Sequence, residues 1–296
     1  MIEGVFPALI TPFTKDDELD EGGLRRIVEY VEEGGVDGIV PCGTTGESAT
    51  LSFEEHKRAV EVVIDCAKTK VIAGTGSNST SEALELTKHA ADAGADACLL
   101  ITPYYNKPNK KGLIEHFKRI ADAVDIPLIL YNIPSRTGLN MTADVVVQLA
   151  SETENIKGIK EASGDLKQVQ HIIKEVRERD IDFTVISGDD ILTIPIMSVG
   201  GKGVISVIAN ILPRETSEMV HAMLKGDYAK ALEMNYRLLP LIDAMFLETN
   251  PIPVKRAAEL IGLPAGHTRL PLGGLSEENE RKLREVLKSF GLTLHA

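Results

Sequence analysis

A chain of 296 residues, 43% hydrophobic and 26% charged, can bury a full core, which excludes a disordered or fibrous protein. The formal net charge of -12 is spread without runs of like charge or a basic stripe, so nucleic acid and anionic membranes are poor partners. Three cysteines, Cys42, Cys66 and Cys98, lack CxxC or CxxH spacing, which argues against a zinc site and for a reducing compartment.

The opening MIEGVFPALITPFTKDD carries no basic n-region, and no stretch of 18 apolar residues follows anywhere, so the expected location is the cytoplasm. Short apolar runs then recur along the chain: VFPALI, DGIVP, KVIAGTG, ACLLIT, PLILYN, IKGIKEA, FTVISGDD and KGVISV. They are continuous rather than alternating, as in parallel strands buried on both faces. Between most of them lie helical spacings, such as Leu166, Val169, Ile172, Ile173 and Val176. Ser52 with Glu55, and Ser79 with Glu82, fit capping boxes ahead of two such helices.

Eight strand and helix units predict a (β/α)8 barrel, an α/β fold of the TIM type, over residues 1–224. An open doubly wound sheet fits less well, because GTTGES and GTGSNS match neither nucleotide-binding fingerprint. Beyond residue 225 the strands stop, and periodic runs near 227–247, 252–262 and 276–290 predict a helical C-terminal extension over 225–296.

Active sites of parallel barrels lie at the C-terminal ends of the strands. Thr44 and Thr45 follow DGIVPCG, Tyr104 and Tyr105 follow ACLLITP, Tyr131 closes PLIL, Arg136 follows five residues on, Lys160 closes IKGI, and Gly188 follows FTVIS. The strand period of two puts Ile156, Gly158 and Lys160 on one face and Lys157, Ile159 and Glu161 on the other, with Gly158 leaving room for the Lys160 stem. Burial disfavours a charged ammonium, which favours a nucleophilic amine. Strand logic alone leaves two readings open: a nucleophile, or a strand-end lysine paired with a carboxylate.

GTTGES, ITPYYNKP, LYNIPSRTG, GIKEASGD, SGDD and GGKGVISV, in this order over nearly the whole chain, resemble the dihydrodipicolinate synthases of the pyruvate-dependent class I aldolase family, which also contains N-acetylneuraminate lyase. The resemblance implies that Lys160 forms an imine with pyruvate and that the resulting enamine adds to aspartate 4-semialdehyde, in lysine and diaminopimelate biosynthesis. It implies Tyr131 as proton donor and acceptor, Thr44 as the hydroxyl that relays the proton, and Tyr105 as a residue lent to a partner subunit's site in a homotetramer built as a dimer of dimers. Thr45, with amides of the Gly43–Gly46 turn expected to open a helix, suits the pyruvate carboxylate, and Arg136 suits that of the semialdehyde. Gly188 and Ile205 match positions whose backbones border the pyruvate pocket. No cofactor or metal is expected, since the imine is the electron sink. The alternatives are an aldolase for a sugar acid, disfavoured by GTTGE in place of GSTGE and by Arg136, and a non-catalytic pyruvate-binding barrel.

Ser48, Ala49, His56, Asn78, Glu82 and Tyr104 match a lysine-binding regulatory site of sensitive bacterial members, but Phe53 stands where those carry histidine. Glu47 reads as an acidic complement to a helix N-terminus, and Asp189 and Asp190 as capping residues.

Overall fold

The computed structural model describes residues 2–295. Its strands are β1 (Gly4–Pro7), β2 (Gly38–Ile39), β3 (Lys70–Gly74), β4 (Ala97–Ile101), β5 (Leu128–Asn132), β6 (Ile156–Glu161), β7 (Thr184–Ser187) and β8 (Gly203–Ser206). They form one sheet in the order β1-β8-β7-β6-β5-β4-β3-β2. A parallel bridge between Ala8 and Val40, just past β1 and β2, joins its first and last strands. This is the (β/α)8 barrel fold that the continuous apolar runs predict. Helices Tyr228–Ala244, Ile252–Leu260 and Glu277–Ser289 follow as the helical extension. No helix among the described residues is long and apolar enough to cross a membrane.

The chain packs as two compact units. One comprises Ile72–Ile205 with the residues up to Gly4. Within it β4, β5, β6 and β7 pair in parallel, and helix Leu166–Glu178 shows how a cover helix is made. Asp165 caps it by accepting from the amides of Lys167 and Gln168, and Val169, Ile172, Ile173 and Val176 are buried along one face. Leu166 of the predicted stripe is only half-buried, and Gln168 is buried in its stead. The reason is polar: the Gln168 amide donates to the buried carboxylate of Glu161 at 3.1 Å.

The other unit comprises Val5–Val71 and the chain from Ser206 onward. Helix Phe53–Cys66 opens with the predicted capping box of Ser52 and Glu55. At Ser79, in the first unit, the hydroxyl caps the Glu82 amide as expected, while the Glu82 carboxylate accepts from the Ser77 hydroxyl at 2.7 Å. In the second unit two cations lie over the Phe13 ring, Lys255 Nζ 4.4 Å and the Arg269 guanidinium carbon 4.0 Å from its centroid.

Candidate active site

Lys160 lies on β6 with 5% of its surface exposed, and its partner in the parallel register is Tyr131 on β5. The ammonium nitrogen is 4.2 Å from the Tyr131 ring centroid. Among the described residues it forms no ion pair. Gly188, after β7, makes space for the lysine: a Cβ there would stand 3.0 Å from both Cγ and Cε of Lys160 and 2.8 Å from the Ala162 Cβ. The sequence reading gave that task to Gly158. A Cβ on Gly158 would instead meet the Thr184 carbonyl oxygen at 2.7 Å, so that glycine serves the close approach of β6 and β7.

The opposite face of the same strand end carries Glu161, almost fully buried and in register with Asn132. Its carboxylate accepts from Asn132 Nδ2 at 3.1 Å, from Gln168 Nε2 at 3.1 Å and from the Ser163 amide at 2.8 Å. Burial pushes its pKa above the ordinary carboxylate value, and these donors pull it back. The Gly188 amide donates to the Glu161 carbonyl at 2.8 Å, so one residue fixes both the strand end and the glycine beside Lys160. Sequence reasoning placed Glu161 on the far face and missed its buried network.

The remaining residues of this unit lie at different depths. Ile205 is buried in β8. Arg136 is exposed on the one-turn helix Pro134–Thr137 that follows β5. Tyr105 is 90% exposed and holds a left-handed backbone, φ 71°, while Tyr104 beside it is half-buried. The structure thus brings Lys160, Tyr131 and Gly188 together and leaves the Tyr105 side chain in solvent. Asn78 accepts at its carbonyl from Asn106 Nδ2. Asp189 accepts from the Ile191 amide, the capping role expected of it, and burial raises its pKa.

In the second unit the Gly43–Glu47 segment is a tight turn, with the Gly46 and Glu47 amides donating to the carbonyls of Gly43 and Thr44. Thr44 is half-buried and Thr45 is 2% exposed. The expected helix does not start at this turn. Glu47 adopts a left-handed backbone, φ 55°, a short 3-10 turn spans Ser48–Thr50, and the α-helix begins only at Phe53. A helix dipole is therefore not what the turn offers. Its assets are the turn itself and the Thr45 hydroxyl, which accepts from Asn250 Nδ2 at 3.0 Å. Ser48 is half-buried, Ala49 exposed, His56 buried and Phe53 half-buried.

Glu47 also departs from its expected role. Its carboxylate is buried and pairs with Lys255 Nζ at 2.7 Å while accepting from the Arg269 amide at 2.9 Å. Lys255 Nζ donates further to the carbonyls of Thr11 and His267. All three ammonium protons are thereby used, and the pull of Glu47 opposes the downward shift that burial imposes on this lysine. Among the described residues two lysines are deeply buried. Lys255 is tied into a saturated ionic cluster, and Lys160 stands beside a tyrosine ring.

The chain matches the model of the dihydrodipicolinate synthetase family over residues 1–290. It is 62% identical over 292 residues to the 4-hydroxy-tetrahydrodipicolinate synthase of Methanosarcina acetivorans, covering 99% of each chain. Among solved structures, the dihydrodipicolinate synthase of Aquifex aeolicus superposes with a TM-score of 0.97 at 48% identity, covering 100% of both chains. That of Acinetobacter baumannii, described as chloride-inhibited and complexed with pyruvate, superposes with a TM-score of 0.94 at 44% identity, covering 99% of this chain and 100% of its own.

Proposed function

The chain belongs to the dihydrodipicolinate synthetase family and is an enzyme with the 4-hydroxy-tetrahydrodipicolinate synthase activity of its relatives, and we propose that it works through an imine on Lys160. The substrates in this reading are pyruvate and L-aspartate 4-semialdehyde, and the pathway is lysine and diaminopimelate biosynthesis in the cytoplasm. The observation that carries it is the contrast between the two buried lysines: Lys255 has every proton engaged, whereas Lys160 lies 4.2 Å from the Tyr131 ring without an ion pair among the described residues.

The Lys160 amine attacks the keto carbon of pyruvate, and loss of water leaves the imine. A methyl proton then departs, giving an enamine whose electron pair had been drawn into the iminium. The enamine carbon bonds to the aldehyde carbon of the semialdehyde, and the aldehyde oxygen takes a proton. The amine of the semialdehyde next adds to the imine carbon and displaces Lys160, which closes the six-membered ring and restores the lysine. Each proton needs a carrier. Tyr131, beside the lysine, takes this task in this reading, and a tyrosine serves as base only within a hydrogen-bonded chain that shares the proton. On the family motif, Thr44 relays that proton and Tyr105 reaches a partner subunit's site; its 90% exposure suits such a loan. Thr45 takes the pyruvate carboxylate, Arg136 the semialdehyde carboxylate, and Gly188 and Ile205 border the pyruvate. The imine is the electron sink, so the reaction takes no cofactor and no metal. The assembly in this reading is a homotetramer.

Lysine, as end product, would act through Ser48, Ala49, His56, Asn78, Glu82 and Tyr104, weakly because Phe53 replaces a histidine. An activity titration unchanged by millimolar lysine would remove that part.

The test is intact-protein mass after incubation with pyruvate and borohydride, with the modified peptide mapped. One pyruvate-derived adduct on Lys160, absent in Lys160→Ala, is expected. A folded protein without adduct would overturn the mechanism.

A further inference from the structure

A hydroxyl carries one proton to give and two lone pairs to fill. At Thr45 one lone pair is taken by Asn250, whose Nδ2 donates at 3.0 Å, and both side chains are buried. A hydroxyl that receives an amide proton keeps its own proton for another acceptor. Had a carbonyl or carboxylate stood in the place of that amide, the Thr45 proton would be spent on it. The amide therefore fixes the polarity of the hydroxyl, and an anionic oxygen is the acceptor that gains most from it, because hydrogen bonds to charged groups are the stronger class.

The turn beneath Thr45 is gripped a second time from the same stretch of chain. Lys255 holds the Glu47 carboxylate, and the Arg269 amide holds its other oxygen. Gly46 allows the turn to close: a Cβ there would stand 2.9 Å from the Leu9 carbonyl oxygen, and the Thr11 hydroxyl donates to the Gly46 carbonyl at 2.7 Å. The stretch from Asn250 to Arg269, which belongs to the helical extension, thus clamps both ends of the Thr45–Glu47 segment. A buried, doubly clamped threonine is pre-organised, so little ordering cost remains when a ligand arrives.

We propose that Asn250 is a positioning residue for keto-acid binding: by donating to Thr45 Oγ1 it commits the Thr45 hydroxyl proton to the carboxylate of the keto acid. The inference rests on the reading of Thr45 as the carboxylate donor. Asn250→Asp keeps the size of the side chain and reverses its polarity, so the new carboxylate claims the Thr45 proton and places negative charge near an incoming anion.

The experiment follows borohydride-trapped adduct on Lys160 against pyruvate concentration, together with steady-state kinetics for both substrates. In Asn250→Asp the half-saturating pyruvate concentration should rise about tenfold to a hundredfold. KM for the semialdehyde and kcat at saturating pyruvate should move little, the signature of lost ground-state binding. Unchanged pyruvate saturation, or an equal loss for both substrates, would overturn the proposal. Should Asn250→Asp not fold, by circular dichroism and melting, a cycle of Asn250→Ser with Thr45→Val decides. If Asn250 acts through Thr45, the double variant binds pyruvate no more weakly than Thr45→Val alone; additive losses overturn it. Failure of the underlying reading looks different, because Thr45→Val would then saturate with pyruvate at the same concentration as the unaltered chain.

Discussion

Tyr131 and Lys160 face each other as register partners on neighbouring parallel strands, with the lysine nitrogen 4.2 Å from the tyrosine ring centroid. The pairing sets the ring by backbone geometry, and in the proposed mechanism it puts packing and proton transfer on one side chain. Tyr131→Phe separates the two. The ring stays and the hydroxyl goes, so the melting temperature should hold while kcat falls about 100-fold or more, the usual worth of a positioned acid–base group. Adduct formation with pyruvate and borohydride should slow but still occur on Lys160. A variant with unaltered kcat would remove Tyr131 from the proton path.

Gly188 is the second support of the lysine. A methyl group there would press against Cγ and Cε of Lys160 at 3.0 Å and against Ala162 at 2.8 Å. Gly188→Ala should therefore displace the amine by some tenths of an ångström while the strands persist. If Lys160 forms the proposed imine, misplacement on that scale is expensive, and kcat/KM for pyruvate should drop by at least about tenfold. The check is kinetics beside far-UV circular dichroism, and a fully active variant would show that the lysine stem can yield.

The barrel was legible because each buried strand is a short apolar run and each cover helix shows its own period. ACLLIT and PLILYN became β4 and β5, and four of the five positions named for the helix at Leu166–Glu178 are buried. Lys160 was legible for the same local reason, since alternation along β6 separates it from Glu161. What escaped was non-local. The Glu47–Lys255 pair joins residues 208 apart, and nothing near either residue announces the other. The Gly43–Glu47 turn reads as a helix start because small and acidic residues usually mark one, yet Glu47 takes a left-handed backbone and serves the ionic cluster instead. Gly158 and Gly188 are alike on paper, and only the packing shows that Gly188 admits the lysine.

Lys255 should be a structural residue of high cost. Lys255→Met leaves the Glu47 carboxylate buried opposite carbonyl oxygens, and loss of one partner of a buried pair costs about 3–5 kcal/mol. The urea midpoint should fall accordingly. Adding Glu47→Gln removes the stranded charge and should restore part of the loss. If the single variant is as stable as the parent chain, the pair is not what anchors the turn.

Glu55 should contribute to acid sensitivity. The Arg269 guanidinium hydrogen-bonds its carboxylate at 2.6 Å and holds its pKa down to about 2, against an ordinary value of 4.5. A carboxyl with a depressed native pKa binds protons more readily in the unfolded chain, so its stabilisation is fully present above about pH 4.5 and is lost as the pH falls towards 2. Because water still reaches this pair, screening limits its worth to about 1 kcal/mol. Glu55→Gln should lower the melting temperature at pH 7 and flatten its decline between about pH 5 and pH 2, so that the two curves converge at the acid end. The comparison needs only thermal melts over that range, and parallel curves would assign the acid sensitivity to other carboxylates.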